Sequence, residues 1–273
     1  MISFQLSFEY TNHEIMEQLQ CLAEEESLRD CTLNFRLNDS KVHTSAFLMC
    51  LYSPVLRTML CGSFRERCSR VASLEDVTSD VFQCAVDAWL GKVVNMLTVE
   101  KLVAVGVAAD RFGMRSVCRG VETTICEAIA EDPAMIVEAL NCCSVAPFEH
   151  LEDVALEAAL DHFPSLCSSG AVLGASAGGL ETLFASQGLH VDREEDLLEL
   201  LQQWCARREG VDAHAEEAAA CALQHVRFEA MDPDYLVTRA CERFAGDMRD
   251  AVSARVAQAL TEGHRGPAAP HRP

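Results

Sequence analysis

Gly174-Ala175-Ser176-Ala177-Gly178 has the Gly-x-Ser-x-Gly spacing that can lift a nucleophilic serine onto a sharp turn, and His214 and His225 downstream could act as its base. Such a turn needs a buried strand leading into it and a parallel sheet around it. Ala171-Val172-Leu173 is too short for that strand, and its neighbourhood reads as helix. A serine hydrolase is therefore kept only as an alternative, and Ser176 is expected in or beside a helix turn. No Gly-Lys-Ser/Thr follows any of these glycines, so a phosphate loop has no support. The 14 cysteines include no Cys-x-x-Cys, and the adjacent Cys142 and Cys143 are badly placed to chelate one tetrahedral ion. His43 has no second ligand at a useful spacing, so neither a metal nor another cofactor is expected. Arg111, Arg115 and Arg119 recur every four residues, but Gly113 interrupts them, and they read as a solvated surface of two helices.

With catalysis set aside, composition limits the partners. The 273 residues carry 22 basic and 42 acidic side chains, a net charge of -20 that repels phosphate backbones, so nucleic acid is not an expected partner. No apolar run approaches the roughly 20 residues of a membrane span, and no membrane partner is expected. Residues 1 to 26 hold six Glu and no base, residues 27 to 130 hold 12 bases and 11 acids, and residues 131 to 260 hold 8 and 24. That change near residue 131, in a chain of this length, points to two domains. No basic n-region precedes an apolar stretch, so the thiols are expected to sit reduced in the cytoplasm or nucleus, most of them as small buried apolar groups.

The elements follow from periodicity. Ile2, Phe4, Leu6, Phe8 and Tyr10 alternate with polar residues, the pattern of a half-buried strand. Ile15, Leu19 and Leu22 fall at helical spacing. Cys31, Leu33, Phe35 and Leu37 alternate in a second strand that turns at Asn38-Asp39-Ser40 and returns through Val42. Two helices abut at Ser53-Pro54, with Ser53 as cap. A short strand is expected at Val71–Leu74, then a helix through Phe82 and Trp89 stopped by Gly91, a helix from Thr98 closed by Gly113, and another from Ser116 to Ala130. Beyond the Asp132-Pro133 helix start no convincing strand occurs. The clearest later helix opens with Asp192 and Glu195 at capping-box spacing and carries Leu197, Leu200, Leu201, Trp204 and Cys205 on one face. Residues 263 to 273 have the composition of a disordered tail.

Read in order, Asp30-Cys-Thr-Leu33, Val42-His43, Ser53-Pro-Val-Leu-Arg-Thr-Met59, Gly62-Ser-Phe-Arg-Glu66 and Ala109-Asp-Arg-Phe-Gly113 closely resemble a BTB (POZ) domain. The Trp204 helix, Val226-Arg-Phe228 and Asp234-Tyr-Leu-Val237 resemble the BACK domain that follows BTB in Kelch-like proteins. The resemblance implies an α+β fold: a BTB domain with a small sheet flanked by helices over residues 1–130, and an all-α BACK domain over 131–260, ahead of the tail at 261–273. No blade-like Kelch repeat appears in the chain.

The resemblance further implies a homodimer whose N-terminal strand is exchanged between copies, the alternative being that the strand pairs within its own chain. Ile2, Phe4, Leu6 and Phe8, with Val55, Leu56 and Met59 of the helix, are the candidate dimer contacts. Phe64-Arg65-Glu66 stands where Kelch-like relatives carry the hydrophobic-x-Glu motif that recruits cullin-3, so these three are the candidate cullin interface. The alternative for Phe64 is a ring closing over its own core. Asp30 and His43 match the acidic and histidine positions of a charged BTB pocket, but Thr44 stands where relatives carry Arg or Lys, and Ala88-Trp-Leu-Gly91 replaces the usual Leu-Tyr-Thr-Gly. The function so implied is a dimeric adaptor that brings an unknown substrate protein to a cullin-3 ubiquitin ligase. The competing reading is a BTB-BACK scaffold, or a truncated Kelch-like protein, that dimerises without ligase function.

Overall fold

Alternation of apolar and polar residues builds the first sheet. The computed structural model describes residues 4–6, 13–96, 98–143, 148–208, 215–242, 244 and 246–262, which fall into two compact units. One unit is drawn from Met1–Ala128 and Val145–Leu151, the other from Ile129–Ser144 and Glu152–Pro273.

In the first unit, β2 (Cys31–Phe35) is the middle strand of three. It pairs antiparallel with β3 (Ser40–Thr44), Leu33 opposite Val42, and parallel with β4 (Val71–Leu74), Leu33 opposite Ala72. The odd residues Cys31, Leu33 and Phe35 are buried, as the period of two requires. β1 (Phe4–Leu6) forms a separate two-stranded ladder with β5 (Val94–Met96) of the same chain, Phe4 opposite Met96. Within the single chain β1 covers the β5 edge, an edge that is costly to leave open. Ile2, Phe8 and Tyr10 lie outside the described residues.

The helices of this unit are α1 (His13–Glu24), α2 (Ala46–Tyr52), α3 (Pro54–Cys61), α4 (Glu66–Ser69), α5 (Ser79–Trp89), α6 (Val99–Arg111) and α7 (Arg115–Glu131). Their core is aromatic at its centre: Phe82 packs 5.5 Å from Phe35 and edge-on 5.1 Å from Phe112. Gly91 and Gly113 have φ of 73° and 70°, which explains why α5 and α6 stop beside them. The break at Gly113 puts Arg111 and Arg115 on different helices, and Arg111 is paired with Asp76, so no continuous basic stripe forms.

Ser53 joins α2 to α3 and carries two bonds at once. Its Oγ accepts from Leu56 N at 3.1 Å and donates to the Phe112 carbonyl at 2.8 Å, in a fully buried position. Ser53→Ala removes a helix cap and orphans a buried carbonyl, together about 2 kcal/mol. Urea denaturation is expected to show that loss, and Ser53→Thr, which keeps the hydroxyl, should recover most of it. A loss under about 0.5 kcal/mol for the alanine variant, the scale of a neutral surface change, would refute the assignment.

The second unit holds α8 (Met135–Cys143), α9 (Leu151–Asp161), α10 (Phe163–Ser168), α11 (Ala177–Ala185), α12 (Glu194–Arg208), α13 (Ala215–Leu223), α14 (Pro233–Thr238) and α15 (Gly246–Glu262). No strand occurs among its described residues. Asp132 caps as expected, its carboxylate accepting from Ala134 N at 2.9 Å, although α8 begins only at Met135. Glu195 does not close a capping box with Asp192. Its carboxylate instead accepts from Asp232 N at 2.9 Å, while Glu194 accepts from Arg227 N at 3.1 Å. Both glutamates are buried, and these charge-assisted bonds to loop N–H groups satisfy their carboxylates inside the fold.

Candidate protein-interaction site

Ser176 settles first. It follows a 3-10 turn at Ala171–Gly174, not a strand, and caps α11, its Oγ accepting from Gly179 N at 3.1 Å. The preceding Ala175 carbonyl accepts from Trp204 Nε1 at 2.8 Å, and Asn141 holds both flanks, donating to Gly174 O and accepting from Ser176 N. These bonds, and not the glycines, tie the turn to α8 and α12: a Cβ at Gly174 or Gly178 would meet nothing within 4 Å. His214 lies outside the described residues.

The segment from Cys61 to Arg70 is built differently, for exposure. α3 ends at Gly62, whose N–H bonds Thr58 O at 2.9 Å, and a Cβ at Gly62 would lie 2.3 Å from that oxygen, so only glycine turns the chain here. The chain then bends through Ser63 and Phe64 into the single turn of α4, and Arg70 closes it in the left-handed region at φ 54°. Its N–H returns to Glu66 O at 2.8 Å. On this frame Phe64 is 56% exposed, its ring lying 3.3 Å from where a Gly62 Cβ would stand. Arg65 and Arg67 are exposed around it and Glu66 is half-buried. A ring closing over the core would be covered; this one stands open to solvent among charged neighbours.

Each of the two candidate pocket residues has a hydrogen-bond partner. Asp30 accepts from Ala46 N at 2.8 Å, capping α2 in place of Ser45, and lies 4.0 Å from Arg70. His43 Nδ1 meets Thr32 Oγ1 at 3.1 Å. The β2–β3 register sets His43 opposite Thr32, and Asp30 immediately precedes β2. A cavity of about 330 Å³ is lined by His43, Leu33, Met49, Phe82 and Lys92, and Lys92 is bonded to Glu24 at 3.1 Å.

Of the dimer candidates, Leu56 is fully buried in its own chain and cannot be offered to a second copy; Ser53's cap turns it inward as the third residue of α3. Val55 stays exposed and Met59 half-exposed. Sequence reasoning missed their neighbours. Phe47 is 66% and Leu51 41% exposed, one turn apart on α2, and Ile15 and Leu22 of α1 are also exposed. The available signal was that α2, Ala46 to Tyr52, is apolar all round, which requires cover on both sides.

Among the described residues a small mixed sheet with helices is followed by a run of helices, with an exposed apolar loop and helix face of the kind protein-interaction modules present. Residues 19–129 match the BTB/POZ domain family model, and residues 136–241 match BACK, "BTB And C-terminal Kelch". The chain is a BTB–BACK protein. It is similar to the Kelch repeat and BTB domain-containing protein 12 of Danio rerio, 25% identical over 233 residues, which cover 81% of this chain and 36% of that relative. The chain thus spans about a third of that relative's length.

Proposed function

We propose that this chain is a homodimeric substrate adaptor of a cullin-3 ubiquitin ligase, with Phe64 as the anchor on cullin-3 and Arg65 and Glu66 fixing the approach. Residues 1–130 would serve as the dimerisation domain, and the acidic helical domain over 131–260 would help select an unknown substrate protein, in the cytoplasm or the nucleus. The observation that carries this reading is the exposure of Phe64 on a loop whose backbone is fixed by Gly62 and Arg70. An isolated aromatic costs hydration unless a partner covers it, and buried aromatic anchors supply most of an interface's affinity. A pull-down from lysate with wild type and a Phe64 variant tests the reading. Wild type is expected to retain cullin-3; failure to do so would leave the scaffold-only reading.

The dimer half of the proposal rests on the exposed apolar faces of α1 and α2. Ile15 and Leu22 on one, Phe47 and Leu51 on the other, are too many large side chains for a solvated surface. Light scattering at micromolar concentration is expected to give twice the 29.9 kDa chain mass. Phe47→Glu together with Leu51→Glu should shift the mass to that of one chain without unfolding β2–β4, since neither side chain enters the core. A monomeric wild type would overturn the dimer.

A further inference from the structure

α2 and α3 are joined a second time, through sulfur. Cys50 Sγ and Cys61 Sγ lie 3.5 Å apart, one in the last turn of α2 and the other at the end of α3. Arg57 Nε donates to the Cys50 carbonyl at 2.8 Å, so the two helices are already tied at this point. Cys61 is exposed and Cys50 half-buried. We propose that Cys50 and Cys61 are a hydroperoxide-oxidisable dithiol, and that their disulfide resets the Phe64 loop; the consequence for cullin-3 rests on the adaptor reading above.

The chemistry balances with hydrogen peroxide as oxidant. The exposed Cys61 sulfur, as thiolate, attacks one peroxide oxygen, the O–O bond breaks, hydroxide leaves and Cys61 becomes a sulfenic acid. The Cys50 sulfur then attacks the Cys61 sulfur, the S–O bond breaks, and the departing oxygen takes the Cys50 proton and leaves as water. Two thiols are oxidised by two electrons and one peroxide is reduced to two waters. The roles follow from placement. Burial, and then the hydrogen bond and charge of Cys61, push the Cys50 thiol up to about 11, against the opposing pull of Arg57 and Arg70. Cys50 therefore waits as a thiol, while Cys61 faces the solvent that delivers peroxide. Once Cys61 is oxidised, its contribution to that upward shift is gone.

A disulfide needs its sulfurs at about 2.05 Å, so they must close by roughly 1.5 Å. Cys50 sits between the buried Met49 and close to Tyr52, whereas Cys61 ends its helix, so Cys61 is the side that moves. Gly62 follows with no slack, because its N–H is bonded to Thr58 and the Phe64 ring rests against it. Oxidation at Cys61 is therefore transmitted over three residues to the anchor.

The test treats the full chain with hydrogen peroxide, blocks remaining thiols with iodoacetamide and maps peptides without reduction. A Cys50–Cys61 linked peptide is expected, lost with dithiothreitol and absent in Cys61→Ser. Its absence while other cysteines oxidise would overturn the proposal. The loop is read without any partner by limited trypsin cleavage after Arg65 and Arg67, which should slow at least threefold on oxidation in wild type and not in Cys61→Ser. Unchanged cleavage in a linked protein would overturn the coupling. Cullin-3 binding should fall at least tenfold in the oxidised wild type. If reduced wild type never binds cullin-3, the adaptor reading fails, while the peptide map and the cleavage rates still decide the dithiol.

Discussion

Phe64→Ala is expected to abolish co-purification of cullin-3 while leaving the chain's Tm and association state nearly unchanged. Removing a buried aromatic anchor from an interface costs about 2 kcal/mol or more, roughly thirtyfold or greater in affinity. The same ring contributes little to the fold, since it is 56% exposed and the loop's shape is held by Gly62 and by the Arg70 N–H to Glu66 bond. Thermal melting monitored by circular dichroism separates the two effects. A variant that loses cullin-3 because it unfolds would mean that Phe64 belongs to the core, and a variant that binds as well as wild type would remove Phe64 from the interface. Glu66→Ala should act in the same direction with a smaller loss, because a half-buried carboxylate at the rim orients more than it anchors.

The largest stability loss is expected from Trp204→Ala. Trp204 is fully buried, its indole N–H donates to the Ala175 carbonyl at 2.8 Å, and the Arg208 guanidinium lies 4.6 Å over its ring. Truncating such a side chain costs about 3 to 5 kcal/mol from transfer and the cavity left behind. The buried Ala175 carbonyl loses a donor, and Arg208 loses the face it stacks on. Urea unfolding followed by far-ultraviolet circular dichroism should show the helical second unit melting at much lower denaturant. Trp204→Phe keeps much of the volume and gives up the N–H, so a loss of only about 1 to 2 kcal/mol is expected from it. Equal losses for the two variants would show that the hydrogen bond, not the packing, holds this site.

Much of the fold was legible because local periodicity and capping agree with it. Leu33 and Phe35 alternate into the core, Val71–Leu74 pairs with them, Ser53-Pro54 starts α3, and Gly113 ends α6 where its φ of 70° demands glycine. The β5 strand was not legible: three residues, Val94–Met96, carry no period, and only pairing with β1 makes them a strand. The stripe Ile15, Leu19, Leu22 showed a helix but not its direction, and in the structure α1 buries Met16 while Ile15 and Leu22 face solvent.

The sequence by itself determined two domains, an α+β unit followed by helices, the position of the Phe64 loop and the failure of Gly174–Gly178 as a nucleophile turn. These depend on spacing along the chain, which neighbouring residues impose through backbone geometry. Tertiary structure alone decided that β1 pairs with β5, that Asp30 caps α2, that Leu56 turns inward while Phe47 turns out, and that Cys50 meets Cys61. Each of these depends on which groups from distant segments compete for one hydrogen bond or one apolar surface. That competition is settled by packing, and no periodicity records it.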